Sequence, residues 1–489
     1  MGLRTTAAIL CARILSLACR AAGKQGVTMA GKYAMKIDPD ILRRLASQVK
    51  GSIIVTCGTN GKTTTNNLIC SALEAEGNKV VCNRTGSNML MGVAAAFVLD
   101  AKLSGRLEAD HAVIEIDEAS TVRVFPHFKP DLCVLTNLFR DQLDRYGEID
   151  ITMDLLKRAC DMAPDMKIVV NGDDSLSTYL AQETGHEVIT YGISEQVSGS
   201  NGRDAGASSH EIREGTFCKR CGTRLVYDFY HYSQLGTYHC PKCGFARPQI
   251  DFDACDISLD GGLKFDVKER SERSAAIPGT VSGTAGAKEA GSGAAAASGG
   301  AGGSSALRRI EANYRGFYNI YNILACYAAV RTAGLPTEHF DRMLAAYNPE
   351  NGRNEQFRIG GANVLLNLAK NPAGFNQNIS SVMEDRSPKD LIIVINDNAQ
   401  DGTDVSWLWD VDFDRLADES VRSITVSGIR CQDMRLRLKY VSIAADLVPD
   451  VKAAISRRLE DGCGNLYVLV NYTALYSTHN ILKAMQDKA

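Results

Sequence analysis

The sequence has little net charge and no long apolar run. Its 489 residues carry 54 Lys and Arg against 57 Asp and Glu, a formal charge of −3. That balance gives no reason to expect nucleic acid as the main partner. Residues 6–22 (TAAILCARILSLACRAA) are apolar but interrupted by Arg13 and Arg20, so no stretch there is long enough to span a bilayer. A cleaved secretory leader is the rival reading of a short, basic-flanked segment. Ile9, Leu10, Ile14, Leu15 and Leu17 fall near one face of a helix, with the arginines elsewhere. The segment is therefore expected to be an amphipathic helix that packs on the protein or rests on a membrane surface. The expected location is cytoplasmic, peripheral at most to the inner face of the membrane. Tryptophan is scarce as well, with two residues, Trp407 and Trp409. The fifteen cysteines are scattered apart from one tight cluster, which in an enzyme-length chain indicates a reducing compartment rather than a disulfide framework.

What is present is a repeated strand–helix pattern. From residue 51, short apolar runs (SIIVT, HAVIEI, DLCVLTNL, KIVVNGDD, EVITYG) alternate with helical stretches. This predicts an α/β fold in which a parallel sheet is covered by helices. Three units are expected: an N-terminal helical segment (1–50), a central domain (51–350) and a smaller C-terminal α/β domain (351–489). Two insertions interrupt the central unit. One is a cysteine-bearing segment at 217–255. The other, 270–306, is rich in Gly, Ala and Ser, and its lack of large apolar side chains predicts a disordered loop.

The sharpest motif is TCGTNGKTTT at 56–65, which follows the strand SIIVT and opens a helix. Small residues let backbone N–H groups wrap phosphate oxygens, and the helix N-terminus favours the anion. Gly58, Thr59, Asn60, Gly61, Lys62, Thr63 and Thr64 are the expected phosphate contacts. Lys62 would reach the β- and γ-phosphates, and the Thr63 hydroxyl would hold magnesium. Thr56 stands where a strict phosphate loop of the Walker type has glycine.

Cys218, Cys221, Cys240 and Cys243 form two C-x2-C pairs, eighteen residues apart. This is the spacing of a structural zinc ribbon, in which four thiolates close the coordination shell and leave no site for water. His231 and His239, between the pairs, are expected to be packing or surface residues.

The motif GTNGKTTT resembles the ATP loop of the Mur ligase and folylpolyglutamate synthetase superfamily. Further segments match that family in order: VIEIDE (113–118), TNLFRDQLDRYG (136–147), NGDD (171–174), FYNIYNILA (317–325) and NGRNE (351–355). The resemblance implies ATP-dependent phosphorylation of a carboxylate, followed by attack of an amine on the acyl phosphate. It implies a catalytic role for Lys62, and makes Glu115 a catalytic residue and the second magnesium contact, with Asp117 and Glu118 as alternatives. Asn322, and with it Asn319, would hold adenine, Asp173 the ribose, and Arg353 the nucleotide from the domain junction. Lys157 lies near the place of a lysine that is carbamylated in many members. The sequence departs from the family where Gln142 replaces a His. The fifty residues before the loop are also too few for the usual N-terminal substrate domain.

The cysteine insertion, together with NLAKNPAGF (367–375) and INDNAQDGTDVSWLWDVDF (395–413), resembles the amidating branch of that superfamily. In that branch the ligase subunit takes ammonia from a separate, GatD-like glutamine amidotransferase. It amidates the D-glutamate of lipid II, a peptidoglycan precursor. The chain has no Cys/His glutaminase pair of its own. Of the acids Asp397, Asp401 and Asp404, Asp401 is expected to be lent to that partner's catalytic histidine, with the tryptophans as interface anchors. The alternative is a stand-alone Mur-type or polyglutamate-type amino-acid ligase.

Overall fold

The structure is a computed structural model, and it describes residues 2–21, 26–140, 149–197, 214–270, 307–313, 316–347, 354–398 and 400–488. Gln142, Arg353 and almost all of the 270–306 segment lie outside the described residues.

The central sheet is built from β1 (Ile53–Cys57), β2 (Val80–Cys82), β3 (His111–Glu115), β4 (Leu132–Leu135), β5 (Lys167–Asn171) and β6 (Val188–Ile193). These six are parallel. A hairpin, β7 (Val226–Tyr232) and β8 (Leu235–His239), stands outside this sheet. Beyond it, β9 (Phe252–Ser258), β10 (Leu263–Glu269) and β11 (Leu307–Ala312) extend the sheet past β6. Strand order is β11-β10-β9-β6-β5-β4-β1-β3-β2. The last additions, β9/β10 and β10/β11, are antiparallel.

β1 lies between β3 and β4, and every one of its residues is buried. Its β-branched run suits a strand covered on both faces. The faces alternate as the pleat requires. Ile53, Val55 and Cys57 join one core with the N-terminal helices, and Ile54 joins another with the helices Lys62–Ala75 and Tyr318–Thr332. Tyr318–Thr332 is apolar almost all round and is buried along nearly its whole length, as expected for a helix roofed on every side.

Residues 252–255, placed by the sequence at the end of the cysteine insertion, belong instead to the central sheet as the start of β9. The 270–306 segment, expected as a loop inserted into a folded unit, is flanked by paired strands, with Lys268 opposite Leu307 across β10 and β11. The insertion therefore leaves and re-enters one hairpin, where added chain length costs only slowly growing closure entropy.

The C-terminal domain has a six-stranded sheet of β12 (Glu355–Ile359), β13 (Ala362–Leu368), β14 (Lys389–Val394), β15 (Val421–Ser427), β16 (Asp446–Leu447) and β17 (Asn465–Val470), in the order β12-β13-β17-β14-β15-β16. Only β12/β13 is antiparallel. Leu391 and Ile393 pack on one side and Ile392 and Val394 on the other, so this sheet too is covered on both faces. No helix among the described residues is long and apolar enough to cross a membrane.

Candidate active site at the domain junction

The phosphate loop leaves β1 and enters the helix Lys62–Ala75. Gly58 (φ 116°) passes so close to β4 that a Cβ there would lie 2.3 Å from Thr136 Oγ1. Gly61 (φ 83°) caps the helix, and a Cβ on it would meet Asn322 Oδ1 at 2.2 Å. Both need glycine, because backbone of this hand strains an L side chain and the neighbours leave no room. Asn137 pins the loop: its carbonyl accepts from Thr59 N–H at 2.8 Å, and its Oδ1 accepts from Asn60 N–H at 2.9 Å. No side chain caps the helix that follows. Its N-terminus, carrying the partial positive charge of the helix, opens on the cleft lined by Thr59, Gly61, Lys62 and Thr63.

Three acids, Glu115 at the end of β3 and Asp117 and Glu118 after it, are given separate positions by the structure. Glu118 pairs with Lys62, Nζ to Oε1 at 3.0 Å, and both side chains are buried. Glu115 accepts from Asn88 Nδ2 at 2.9 Å through Oε1, while its Oε2 is buried without a hydrogen-bond partner. Thr63 Oγ1 and Glu115 Oε2 converge beside Gly86, 3.3 and 3.5 Å from where its Cβ would stand. A buried orphan carboxylate oxygen beside a hydroxyl is a donor set that fits a hard divalent cation. Asp117 lines the same cleft.

Burial raises the Glu118 carboxyl to about 7 from an ordinary 4.5, against the pull of Lys62. The folded chain therefore holds this proton longer than the unfolded chain does. The stability linked to it is full below about pH 4.5 and is lost as pH rises through about 7. Glu118→Gln is expected to flatten the fall of Tm between those two values, whatever its effect on absolute stability. Thermal melts across that pH range, compared slope against slope, measure it.

Asn319 and Asn322 are bonded to each other at 3.0 Å and line the adjoining pocket with Thr64, Tyr232 and Tyr318. The C-terminal domain closes this cleft. Asn371 Nδ2 donates to Asn60 Oδ1 at 3.1 Å, and Asn354 Nδ2 donates to Tyr318 Oη at 3.1 Å. Lys370 and Gln400 also line it.

One expected residue, Asp173, is placed elsewhere. Asp173 does not face the cleft. It is fully buried, paired with Arg247 at 2.6 Å, and accepts from Tyr321 Oη at 2.7 Å and Ile193 N–H at 2.8 Å. These contacts tie the end of β5 to the insertion through Arg247, to β6 through Ile193 and to the helix Tyr318–Thr332 through Tyr321. Asp401 is 5% exposed, and its carboxylate accepts from Thr473 N–H at 2.8 Å and from the Thr473 hydroxyl. It thus ties down the first turn of the helix Tyr472–Gln486. Asp404 caps its own turn at Ser406 N–H, and Asp397 pairs with Arg430 at 2.9 Å. Trp407 packs inward on Phe375, so Trp409 is the exposed one of the two. Lys157 is an exposed residue of the helix Ile149–Asp161.

The four cysteine sulfurs lie within 4.8 Å of one another, with Cys218–Cys243 and Cys221–Cys240 at 3.5 Å. A tetrahedral zinc with sulfurs at about 2.3 Å needs sulfur–sulfur separations of about 3.8 Å, so the set fits. Each pair sits on a matching turn: Gly222 N–H donates to Cys218 O at 2.8 Å, and Gly244 N–H to Cys240 O at 3.2 Å. His231 is buried against Phe317 and Tyr321, a packing residue as expected. From this insertion Gln234 reaches Leu138 O and Asp174 Oδ1, each at 2.7 Å, and Tyr232 enters the Asn319/Asn322 pocket.

Sequence reasoning missed Asn88, Lys370, Tyr232 and Asn83, whose amide donates to Glu115 O and accepts from Glu115 N–H, each at 2.8 Å. The turn NRTGSN (83–88) carried a signal in its Gly, Ser and Asn content. The reach of Lys370 and Tyr232 into the cleft had none, since it depends on how separate units pack.

An ATP loop on a parallel sheet, closed by a second α/β domain across the nucleotide cleft, defines an ATP-dependent ligase of the Mur type. The Mur ligase middle domain family matches residues 55–222, and the MurT ligase C-terminal family matches residues 368–475. The subunit MurT of lipid II isoglutaminyl synthase (glutamine-hydrolyzing) from Staphylococcus aureus (strain COL) is 32% identical over 97% of this chain and 96% of its own length. The subunit of the same name from Streptococcus pneumoniae (strain ATCC BAA-255 / R6) is 31% identical over 99% and 98%. Among solved structures, a pseudomurein peptide ligase type C from Methanothermus fervidus superposes with a TM-score of 0.64 at 19% identity, covering 90% of this chain and 80% of that one. The chain belongs to the MurT family.

Proposed function

We propose that this chain amidates the α-carboxyl of D-glutamate in the stem peptide of lipid II, giving D-isoglutamine, with ammonia supplied by a GatD-like glutaminase partner. Near full-length similarity to relatives named as subunits of lipid II isoglutaminyl synthase carries the reading. The cleft provides the chemistry. The substrate carboxylate attacks the γ-phosphorus of ATP, forming an acyl phosphate and releasing ADP. Ammonia then adds to the carbonyl carbon, the C–O bond to phosphate breaks, and the nitrogen loses a proton as the amide forms.

In this reading Lys62 and the uncapped helix N-terminus hold the phosphates, and Glu118 keeps Lys62 aimed at them. Glu115 and Thr63 would hold magnesium, which neutralises phosphate charge when bound. Asn322 and Asn319 face the base, with Tyr232 beside it. Lys370 approaches from the C-terminal domain, where charge builds up on the transferred phosphoryl group.

Asp401, fixed by Thr473, is the acid that would orient the partner's histidine. Asp401→Asn is expected to lower glutamine hydrolysis by the complex at least about tenfold, measured as glutamate release. The ATP turnover of the ligase subunit should stay intact. Unchanged hydrolysis removes Asp401 from the mechanism.

The test of the whole reading is mass spectrometry of lipid II incubated with this chain, the partner, ATP, magnesium and glutamine. Replacement of one hydroxyl by an amino group, dependent on ATP, supports it. Unchanged lipid II beside an active glutaminase turns the assignment to an amino-acid ligase, and other carboxylates are then screened.

A further inference from the structure

The N-terminal helix packs the unexpected way round. Leu3–Ala21 turns its small residues inward: Ala8 and Ala12 are buried together with Thr5, Ile9 and Ser16. Four of its large apolar side chains face out, with Leu3 92%, Leu10 48%, Ile14 57% and Leu17 66% exposed. With Ala7 and Ala21, also exposed, they fall at positions 3, 7, 10, 14, 17 and 21. Steps of four and three keep one line along a helix, so this is one unbroken apolar stripe about 28 Å long. The next helix, Val27–Ile37, adds exposed Met29 and Tyr33.

Charge decides what covers this face. Residues 1–37 contain six basic side chains and no acidic one, although the whole chain is net negative. Lys32 and Lys36 are exposed beside Tyr33. A second copy packed on the stripe would set arginines and lysines against their like, with no acid among these residues to answer them. An anionic bilayer answers both features, since acyl chains take the stripe and phosphate headgroups take the cations. Thr28, at the start of the second helix, also lines the cleft that holds Lys62 and Glu115. The face therefore adjoins the reaction site.

We propose that the helix Leu3–Ala21, with the exposed edge of Val27–Ile37, is a peripheral anchor that lays this chain on an anionic phospholipid surface. Anchoring would present the cleft to the lipid-linked substrate proposed above. Vesicle binding is measured without that substrate, so either proposal can fail alone.

The experiment is flotation of the full chain with vesicles of phosphatidylglycerol and phosphatidylethanolamine, beside vesicles of phosphatidylcholine alone. The natural chain should float with the anionic vesicles, and added salt should weaken its binding. The triple variant Leu10→Glu, Ile14→Glu, Leu17→Glu should bind at least about tenfold less, with its Tm and ATP turnover unchanged because the altered positions are exposed. Leu10→Gln with Leu17→Gln is the milder variant if the first misfolds. Failure of the natural chain to bind, or equal binding by the variants, overturns the proposal. A natural chain that is dimeric in solution and becomes monomeric in the variants, without binding vesicles, assigns the face to a second copy and also overturns it.

Discussion

Alanine at Lys62 is expected to reduce ATP-dependent product formation by at least about a hundredfold, with little loss of folded protein. Lys62 is 6% exposed, is held by Glu118, and lies on the cleft beside Thr63. Two anions must meet for a carboxylate to take a phosphoryl group, and a positioned ammonium offsets the charge that develops there. The fold should survive because the partner left behind can neutralise itself. Glu118 already has a raised pKa, and without Lys62 it becomes protonated rather than remaining a buried charge. Lys62→Arg should not rescue, since a planar guanidinium cannot occupy the space of a compact ammonium between Thr59 and Glu118. Purified variants assayed for ADP release, with circular dichroism as the control, decide this. Turnover near that of the natural chain would remove Lys62 from the phosphate site.

Breaking the four-cysteine set is expected to give the second large effect. Cys218→Ser, or prolonged chelation, should take the protein from about one zinc per chain to none. It should speed proteolysis within residues 214–250 about tenfold or more. Around the sulfurs the small cluster holds Leu225, Tyr238 and Phe245 with a few partly buried neighbours among the described residues, too little to order that end of the insertion without a metal. The damage should reach the nucleotide as well. Gln234 bonds next to the phosphate-loop anchor, and Tyr232 lines the pocket of Asn319 and Asn322. We therefore expect the KM for ATP to rise several-fold while the rest of the chain stays folded. Metal analysis, limited proteolysis and ATP titration are the measurements. An unchanged KM would mean that the insertion acts away from the nucleotide.

Local chemistry made much of this legible in the sequence. The phosphate loop could be read because its demands are local: glycines where the backbone turns left-handed or a neighbour crowds in, and an amide-rich helix start. The cysteine set could be read because two turns and four thiolates are a complete metal shell in themselves. The alternation of apolar runs gave the parallel sheet, since strands buried on both faces must be apolar throughout.

Tertiary structure decided whatever depended on which groups meet. NGDD looks like a polar loop, yet Asp173 is sealed by Arg247 and Tyr321, residues far away in the chain. VIEIDE offered three acids in one short segment. Only the fold turns Glu115 toward Thr63 and Glu118 toward Lys62. Asp401 read as one acid of a loop, and only the fold shows that the backbone of Thr473 fixes it in place. The N-terminal helix was legible as amphipathic, but not which face it buries. A helix can pack through its alanines where a neighbour comes close, and close approach is a property of the assembled chain. Sequence by itself determined the chemistry each segment could perform, because that resides in residue type and short spacing. Tertiary structure determined which of those groups share a site, because contact between distant segments is set by packing, and packing is not encoded locally.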